Sequence, residues 1–229
     1  MRRRLSPRLR RQLSRRLSRR LITLGLAAAL VGCVPKLTPL VGVAAPAGTL
    51  PRTSAPPGYH KIVFNWEFTD RDMTGRGDGV ARIAAPDSVR LDFFLGGGFG
   101  GGAAVLIGDS LLVPGGTDFI RRLIPPPPLL WAALGRVALP NLPDTVIRVE
   151  GPVLRADVGQ PVSWRLTFRA DTIVRAERVV SGRVVEWIER TDAQHVSYRN
   201  TGSRRSLQLV VTRTDEVPEF DASIWHLDR

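Results

Sequence analysis

The sequence of 229 residues contains a single cysteine, Cys33. One cysteine excludes an intramolecular disulfide framework and any zinc site built from several cysteines. Lysine is also scarce, because only Lys36 and Lys61 are lysines among the 33 basic residues. The apolar run at residues 21–30 is about half the length that a membrane-spanning helix requires. The sequence therefore predicts no stable transmembrane helix.

Acidic residues are missing from the first 32 positions, which hold ten arginines. The chain carries a formal charge of +12, yet from Cys33 onward 23 basic residues face 21 acidic ones, a difference of +2. The basic charge is therefore concentrated in the leader, and the remainder has no excess of cations for a phosphate backbone. Nucleic acid is disfavoured as a partner.

Residues 1–32 are predicted to form an export signal. A basic stretch at residues 1–20 precedes the short apolar run, and small residues lead up to Cys33. The segment 30–33 (LVGC) resembles the lipobox of bacterial lipoproteins. That resemblance implies cleavage before Cys33 and transfer of a diacylglyceryl group to its thiol, with acyl chains such as palmitate anchoring the protein in a membrane. Val34, in place of aspartate, favours the outer membrane and a domain that faces the periplasm.

Residues 33–58 are rich in proline and nearly uncharged, which predicts an extended tether. Residues 59–229 are predicted to form the folded domain. Apolar and polar residues alternate along most of this part, and turn residues recur every eight to twelve positions. The interruption at residues 117–139 predicts two short helices separated by the prolines at 125–128. The pattern indicates an antiparallel sheet of about eleven strands.

These features together resemble the LolA/LolB superfamily of periplasmic carriers and outer-membrane receptors for lipoproteins. The resemblance depends on residues 66–68 (WEF), 77–82 (GDGVAR) and 86–92 (PDSVRLD), which are similar to the opening hairpins of that family. It implies a mainly β fold, a curved antiparallel half-barrel with helices over its concave face. It also implies that lipid or the acyl chains of other lipoproteins bind in the hollow without catalysis.

One apolar sheet face must be covered, and two short helices cannot cover about eleven strands completely. The uncovered part predicts an apolar cleft suited to acyl chains. The candidate lining residues are Ile62, Phe64, Trp66, Phe68, Leu91, Phe93, Trp164, Leu166 and Trp187.

Two other functions remain open at this stage. A structural envelope lipoprotein would have the same anchor and a completely filled core. A GDSL-type esterase would use Ser110 in the sequence Gly108-Asp109-Ser110-Leu111, with the later Asp192 and His195 as partners. The chain lacks the blocks that supply oxyanion donors in that family, which favours a turn at this position. No cofactor or metal is expected, because the three histidines lack ligand spacing.

Overall fold

The computed structural model describes residues 35–51, 53–97, 100–115, 118–139 and 144–227. Cys33 and the predicted export signal lie outside the described residues, so cleavage and lipidation stay predictions. A compact unit spans residues 35–229, and it holds the sheet, both helices and the core. No helix in the described part is long and apolar enough to cross a bilayer.

Thirteen strands form one sheet. They are β1 (Val43–Ala45), β2 (Tyr59–Thr69), β3 (Thr74–Ala84), β4 (Ser88–Leu95), β5 (Gly101–Ile107), β6 (Ser110–Leu112), β7 (Val146–Glu150), β8 (Val153–Val158), β9 (Trp164–Arg169), β10 (Thr172–Val180), β11 (Arg183–Arg190), β12 (His195–Asn200) and β13 (Arg205–Glu216).

All neighbouring strands are antiparallel, in the order β1-β7-β8-β9-β10-β11-β12-β13-β2-β3-β4-β5-β6. The meander is interrupted after β1 and after β6. β1 pairs with β7 at one edge, and β13 returns to pair with β2 in the middle of the sheet. β1 and β6 form the two edges, so the sheet is open. The prediction of an open antiparallel half-barrel is confirmed, although thirteen strands are present where about eleven are predicted.

Two short helices, α1 (Asp118–Leu123) and α2 (Pro127–Ala133), occupy the interruption between β6 and β7. α2 begins earlier than predicted, because Pro127 and Pro128 form its first turn. Proline is tolerated there, since the first N–H groups of a helix have no intrahelical acceptor. The helix ends before Gly135, whose φ of +86° suits glycine. The buried side chains of both helices belong to the same core as the sheet.

The segment predicted as a free tether is attached to the sheet. Pro35 and Leu37 hydrogen-bond with the end of the β10–β11 hairpin, through the backbones of Val184 and Gly182. Farther along, β1 pairs with β7, and Ala55 is buried in the core. The sequence pattern misses these contacts because a three-residue edge strand between prolines has no detectable periodicity.

Aromatic residues of β2 lie opposite glycines of β3. Phe64 pairs with Gly79, Trp66 with Gly77 and Phe68 with Gly75. A Cβ atom at Gly79 would lie 2.3 Å from the Phe64 ring, which shows that the ring occupies the space over this glycine. The alternating glycines thus let large rings cover the backbone of β3 on the core face.

Candidate functional site

An apolar cavity of about 250 Å³ lies between the sheet and the helices. Two rows of cross-strand neighbours contribute to its sheet side. The first row is Thr214, Ile62, Ala81 and Leu91, and the second is Val211, Phe64, Gly79 and Phe93, in which Gly79 lies beneath the Phe64 ring and does not itself line the cavity.

The opposite side of the cavity comes from the helical segment. Ile124 and Pro125 lie between the helices, and Leu130, Ala133 and Leu134 lie on or just after α2. The helices therefore do not fill the space over the two rows. α2, which lies between Pro126 and Gly135, covers this part of the concave face but leaves a cavity between itself and the two rows.

The cavity opens to solvent at one end. Pro56, Ala193 and Thr214 line it, and all three residues are exposed. Pro56 belongs to the segment before β2, Ala193 to the turn between β11 and β12, and Thr214 to the far end of β13. These residues define the mouth of the cavity.

Four of the predicted lining residues, Ile62, Phe64, Leu91 and Phe93, line the cavity. The Phe64 and Phe93 rings meet edge to face, with centroids 5.8 Å apart. All four are on the sheet side. Lipid binding by these four residues remains a proposal.

Trp66 and Phe68 continue the same face of β2 but are packed instead of facing the cavity. Phe119 of α1 covers both, with ring centroids 5.7 Å from Trp66 and 6.2 Å from Phe68. The Trp66 indole Nε1 donates a hydrogen bond of 2.9 Å to the carbonyl of Asp78. Both side chains are buried in the core.

Trp164 and Leu166 lie on the core face of β9, away from the cavity lining. Leu166 is fully buried, and Trp164 packs against the core from a half-buried position. These two residues belong to the filled half of the sheet, which also contains Ala156 and Phe168.

Trp187 lies on the opposite face of the sheet, which differs from the expectation. Its neighbour Ile188 lines the cavity, and the guanidinium of Arg175 lies 5.2 Å from the Trp187 ring. Two charged residues, Glu186 and Arg190, share the inner face with Ile188. The two charges make the inner face of β11 look polar in the sequence. The apolar alternation therefore assigns Trp187 to the wrong face of the sheet.

Sequence reasoning misses the lining from β12 and β13. Val196, Leu207, Leu209 and Val211 all contribute to the cavity. The alternation of Leu207, Leu209 and Val211 within β13 is a usable signal for this face. The contribution of the helical segment has no comparable signal, since its apolar residues are equally suited to a filled core.

Arg190 is the only charged residue among the described residues that line the cavity. Its Nη1 donates a hydrogen bond to the carbonyl of Ala133 in the last turn of α2. Burial lowers the pKa of Arg190 below its usual range. Small-molecule sites are usually apolar cavities with a few convergent polar groups, and this cavity has that form.

The other inner-face charge on β11, Glu186, is fully paired. Its carboxylate accepts hydrogen bonds from Arg178 at 2.6 Å, Tyr198 at 2.9 Å and Asn200 at 3.0 Å. Burial, followed by the charge of Glu186, raises the pKa of Tyr198 above its usual value. Glu186 and Tyr198 of this hydrogen-bond network are buried on the inner face of the sheet, next to the cavity.

Ser110 is the first residue of β6, directly after the tight turn at Gly108 and Asp109 that joins β5 to β6. Gly108 has a φ of +60°, and its carbonyl accepts a hydrogen bond from the Trp131 indole. His195 belongs to β12, and five strands separate it from β6 in the sheet order. Its Nδ1 lies 2.9 Å from a carboxylate oxygen of Asp192. The structure thus places the predicted esterase residues on separate parts of the sheet.

No group of three or more potential metal ligands occurs among the histidines, cysteines and acidic residues of the described ranges.

No protein-family model and no curated protein matches this chain. Solved structures do match it. A LolA superfamily protein from Nitrosomonas europaea is 12% identical, with 77% of this chain and 92% of that chain covered and a TM-score of 0.47. A DUF1329 family protein from Desulfovibrio piger is 9% identical, with 76% and 90% covered and a TM-score of 0.37.

A third match is a putative outer membrane lipoprotein-sorting protein domain from Vibrio parahaemolyticus. It is 6% identical to this chain, with 73% of this chain and 89% of that chain covered and a TM-score of 0.40. A protein of the superfamily that the sequence resembles is among these matches. The ligand has to be inferred from the cavity of this chain.

Proposed function

We propose that this chain is a membrane-anchored envelope lipoprotein that binds the acyl chain of a lipid or of another lipoprotein, without catalysis. The observation that supports the proposal is the apolar cavity of about 250 Å³ between sheet and helices. Aliphatic and aromatic side chains surround it on both sides, and this lining suits a hydrocarbon chain.

The size of the cavity limits the ligand. Since an apolar cavity of about 150 Å³ holds a benzene molecule, a cavity of about 250 Å³ should hold roughly eight to ten carbon atoms. Burial of eight methylenes contributes about 6 kcal/mol before the costs of association. A sixteen-carbon chain would extend beyond the cavity through the mouth, or the helices would have to move away from the sheet.

The anchor is proposed at Cys33, from its place after the export signal. The sequence leaves one residue, Val34, between Cys33 and Pro35, whose carbonyl accepts a hydrogen bond from Val184. The segment that follows Cys33 is therefore not a free spacer, and little chain remains between the anchor and the domain. We expect the protein at the outer membrane, facing the periplasm.

A chain-length series tests acyl binding directly. The protein is residues 35–229, the compact unit with the complete core, and the ligands are straight-chain alcohols from butanol to tetradecanol, titrated by calorimetry. Affinity should rise about fourfold for each added methylene, because each contributes about 0.8 kcal/mol. The rise should level off near octanol, where the cavity is full. Absence of binding throughout the series would leave the structural lipoprotein as the better account.

The anchor is tested separately on the full chain. Cells that express it with radiolabelled palmitate should produce labelled protein in the membrane fraction, and the Cys33→Ala variant should be unlabelled. A label that persists in the variant, or is missing from both, would exclude lipidation at this residue.

A further inference from the structure

Arg190 lies beside the mouth of the cavity. It ends β11, and the turn that follows contains Ala193, which lines the mouth. Its cross-strand neighbour, Val196, also lines the cavity. A ligand whose chain fills the space over Phe64 would therefore place its polar end near Arg190.

The guanidinium of Arg190 has no carboxylate partner among the described residues. The acidic residues nearest in the sequence are engaged elsewhere: Glu189 is 2.9 Å from Arg175 on the opposite face, and Asp192 is 2.9 Å from His195. The one hydrogen bond that Arg190 donates, to Ala133, uses a single N–H of the five that a guanidinium carries.

Arg165 is the informative contrast. It is a buried arginine of the sheet, whereas Arg190 is partly buried, and Arg165 holds Asp157 in a bidentate pair with bonds of 2.7 and 2.8 Å. A cation withdrawn from water is stabilised by an opposite charge, and removal of that charge is strongly destabilising. Arg165 lines a separate, polar pocket and has a carboxylate partner, whereas Arg190 lines the apolar cavity and has no carboxylate partner among the described residues.

We infer that the ligand of the cavity is an anionic amphiphile whose carboxylate or phosphate group binds Arg190 while its hydrocarbon chain lies among Ile62, Phe64 and Leu91. This inference rests on the proposed function, since it presupposes that an acyl chain occupies the cavity. It narrows the ligand class, because a fully esterified neutral lipid offers Arg190 no charge. Charge-assisted hydrogen bonds from a guanidinium to carboxylate or phosphate are short and bidentate, which fixes the orientation of the ligand.

Three ligands of equal chain length test the inference: decanoate, decyl phosphate and decanol. Each is titrated by calorimetry into residues 35–229 at neutral pH, below its critical micelle concentration. We expect at least one of the two anions to bind at least tenfold more tightly than decanol, with the preference reduced at high salt. Whichever of the two anions binds with the higher affinity shows whether the site prefers a carboxylate or a phosphate head group.

The variant Arg190→Met should remove the preference for the anion and change the affinity for decanol by less than about threefold. The matched control, Arg183→Met, changes an exposed arginine at the other end of the same strand and should leave both affinities unaltered. If Arg190→Met does not fold, Arg190→Lys supplies the second comparison, because it should keep the preference for the anion in a weakened form.

The outcomes separate the two proposals. Equal affinity of the wild-type protein for the anions and for decanol would overturn the anionic head group and leave acyl binding intact. Binding of none of the three ligands would overturn the proposed function itself. An anion preference that Arg190→Met retains would place the head group elsewhere.

Discussion

The two ends of one concave face differ in how they are covered. Along β2, Trp66 and Phe68 are packed beneath Phe119 of α1, whereas Ile62 and Phe64 face the cavity. All four residues share one face of one strand. The difference thus comes from the helical segment, whose Phe119 packs directly on one end of the face and whose α2 leaves a cavity above the other end.

The same difference between a packed end and an end that faces the cavity occurs on β11 and β12. On β12, Val196 lines the cavity, and Tyr198, two residues further, is buried and bonded to Glu186. On β11, Arg190 lines the cavity and Glu186 belongs to the packed end. We call these two parts the hollow end and the filled end. Function is proposed for the hollow end, and most of the stability should come from the filled end.

Truncation of an aromatic residue should separate the two ends most strongly. Trp66→Ala at the filled end should lower the free energy of unfolding by about 3–5 kcal/mol, because it leaves an unfilled cavity in a packed core. Ile62→Ala at the hollow end should cost about 1–2 kcal/mol, since Ile62 is already half-exposed and faces a cavity. Denaturant unfolding of both variants measures the difference. Equal losses would contradict the division.

Replacement of a buried alanine by leucine tests the same difference by adding volume instead of removing it. Ala156→Leu, on the packed face of β8 and outside the cavity lining, should destabilise by about 1–3 kcal/mol through overpacking, because Ala156 is completely buried in the core. Ala81→Leu at the hollow end should leave stability unchanged or raise it by about 0.5–2 kcal/mol, because the new side chain enters existing space.

Ala81→Leu should also lower the affinity for octanol by at least tenfold. Thermal unfolding and calorimetric titration of the two variants check both statements. A destabilised Ala81→Leu variant that binds octanol normally would show that the cavity is not the binding site.

Loss of one buried hydroxyl should have a smaller effect. Tyr198→Phe removes one of the three donors to the Glu186 carboxylate and should cost about 1–2 kcal/mol. Thr214→Val, at the exposed mouth of the cavity, should change stability by less than about 0.5 kcal/mol. Denaturant midpoints resolve this difference. A loss as large for Thr214→Val would mean that the mouth is part of the packed interior.

Two glycines of β3 give the smallest and most specific comparison. In Gly79→Ala the new Cβ would lie 2.3 Å from the Phe64 ring, so the ring must shift into the cavity and octanol should bind about threefold more weakly. In Gly75→Ala the Cβ would be 3.5 Å from the Trp66 ring, an ordinary contact, and affinity should not change. Titration of both variants with octanol decides the point, and equal affinities would contradict a role for the Phe64 position.

The sequence predicts the fold well because the alternation along most strands is regular. The face of β2 that carries Ile62 and Phe64, the break at the helices and the open antiparallel sheet follow from periodicity and turn residues. It also predicts four residues of the cavity lining, from β2 and β4.

Periodicity cannot distinguish a covered apolar face from an uncovered one, which is why Trp66 and Phe68 are predicted beside Phe64 without a difference between them. It fails at Trp187, because two inner-face charges, Glu186 and Arg190, reverse the pattern of β11. It also misses the docking of residues 35–37, since backbone hydrogen bonds to the β10–β11 hairpin leave no trace in side-chain type.

The position of a bound hydrocarbon chain tests the central claim most directly. Crystals of residues 35–229 grown with a terminally brominated decanoate would locate the bromine by its anomalous scattering. The account predicts one bromine between the Phe64 and Leu91 side of the sheet and Leu130 of α2, with the carboxylate at Arg190. A cavity that holds no bromine, with bromine found only on the outer surface, would contradict it.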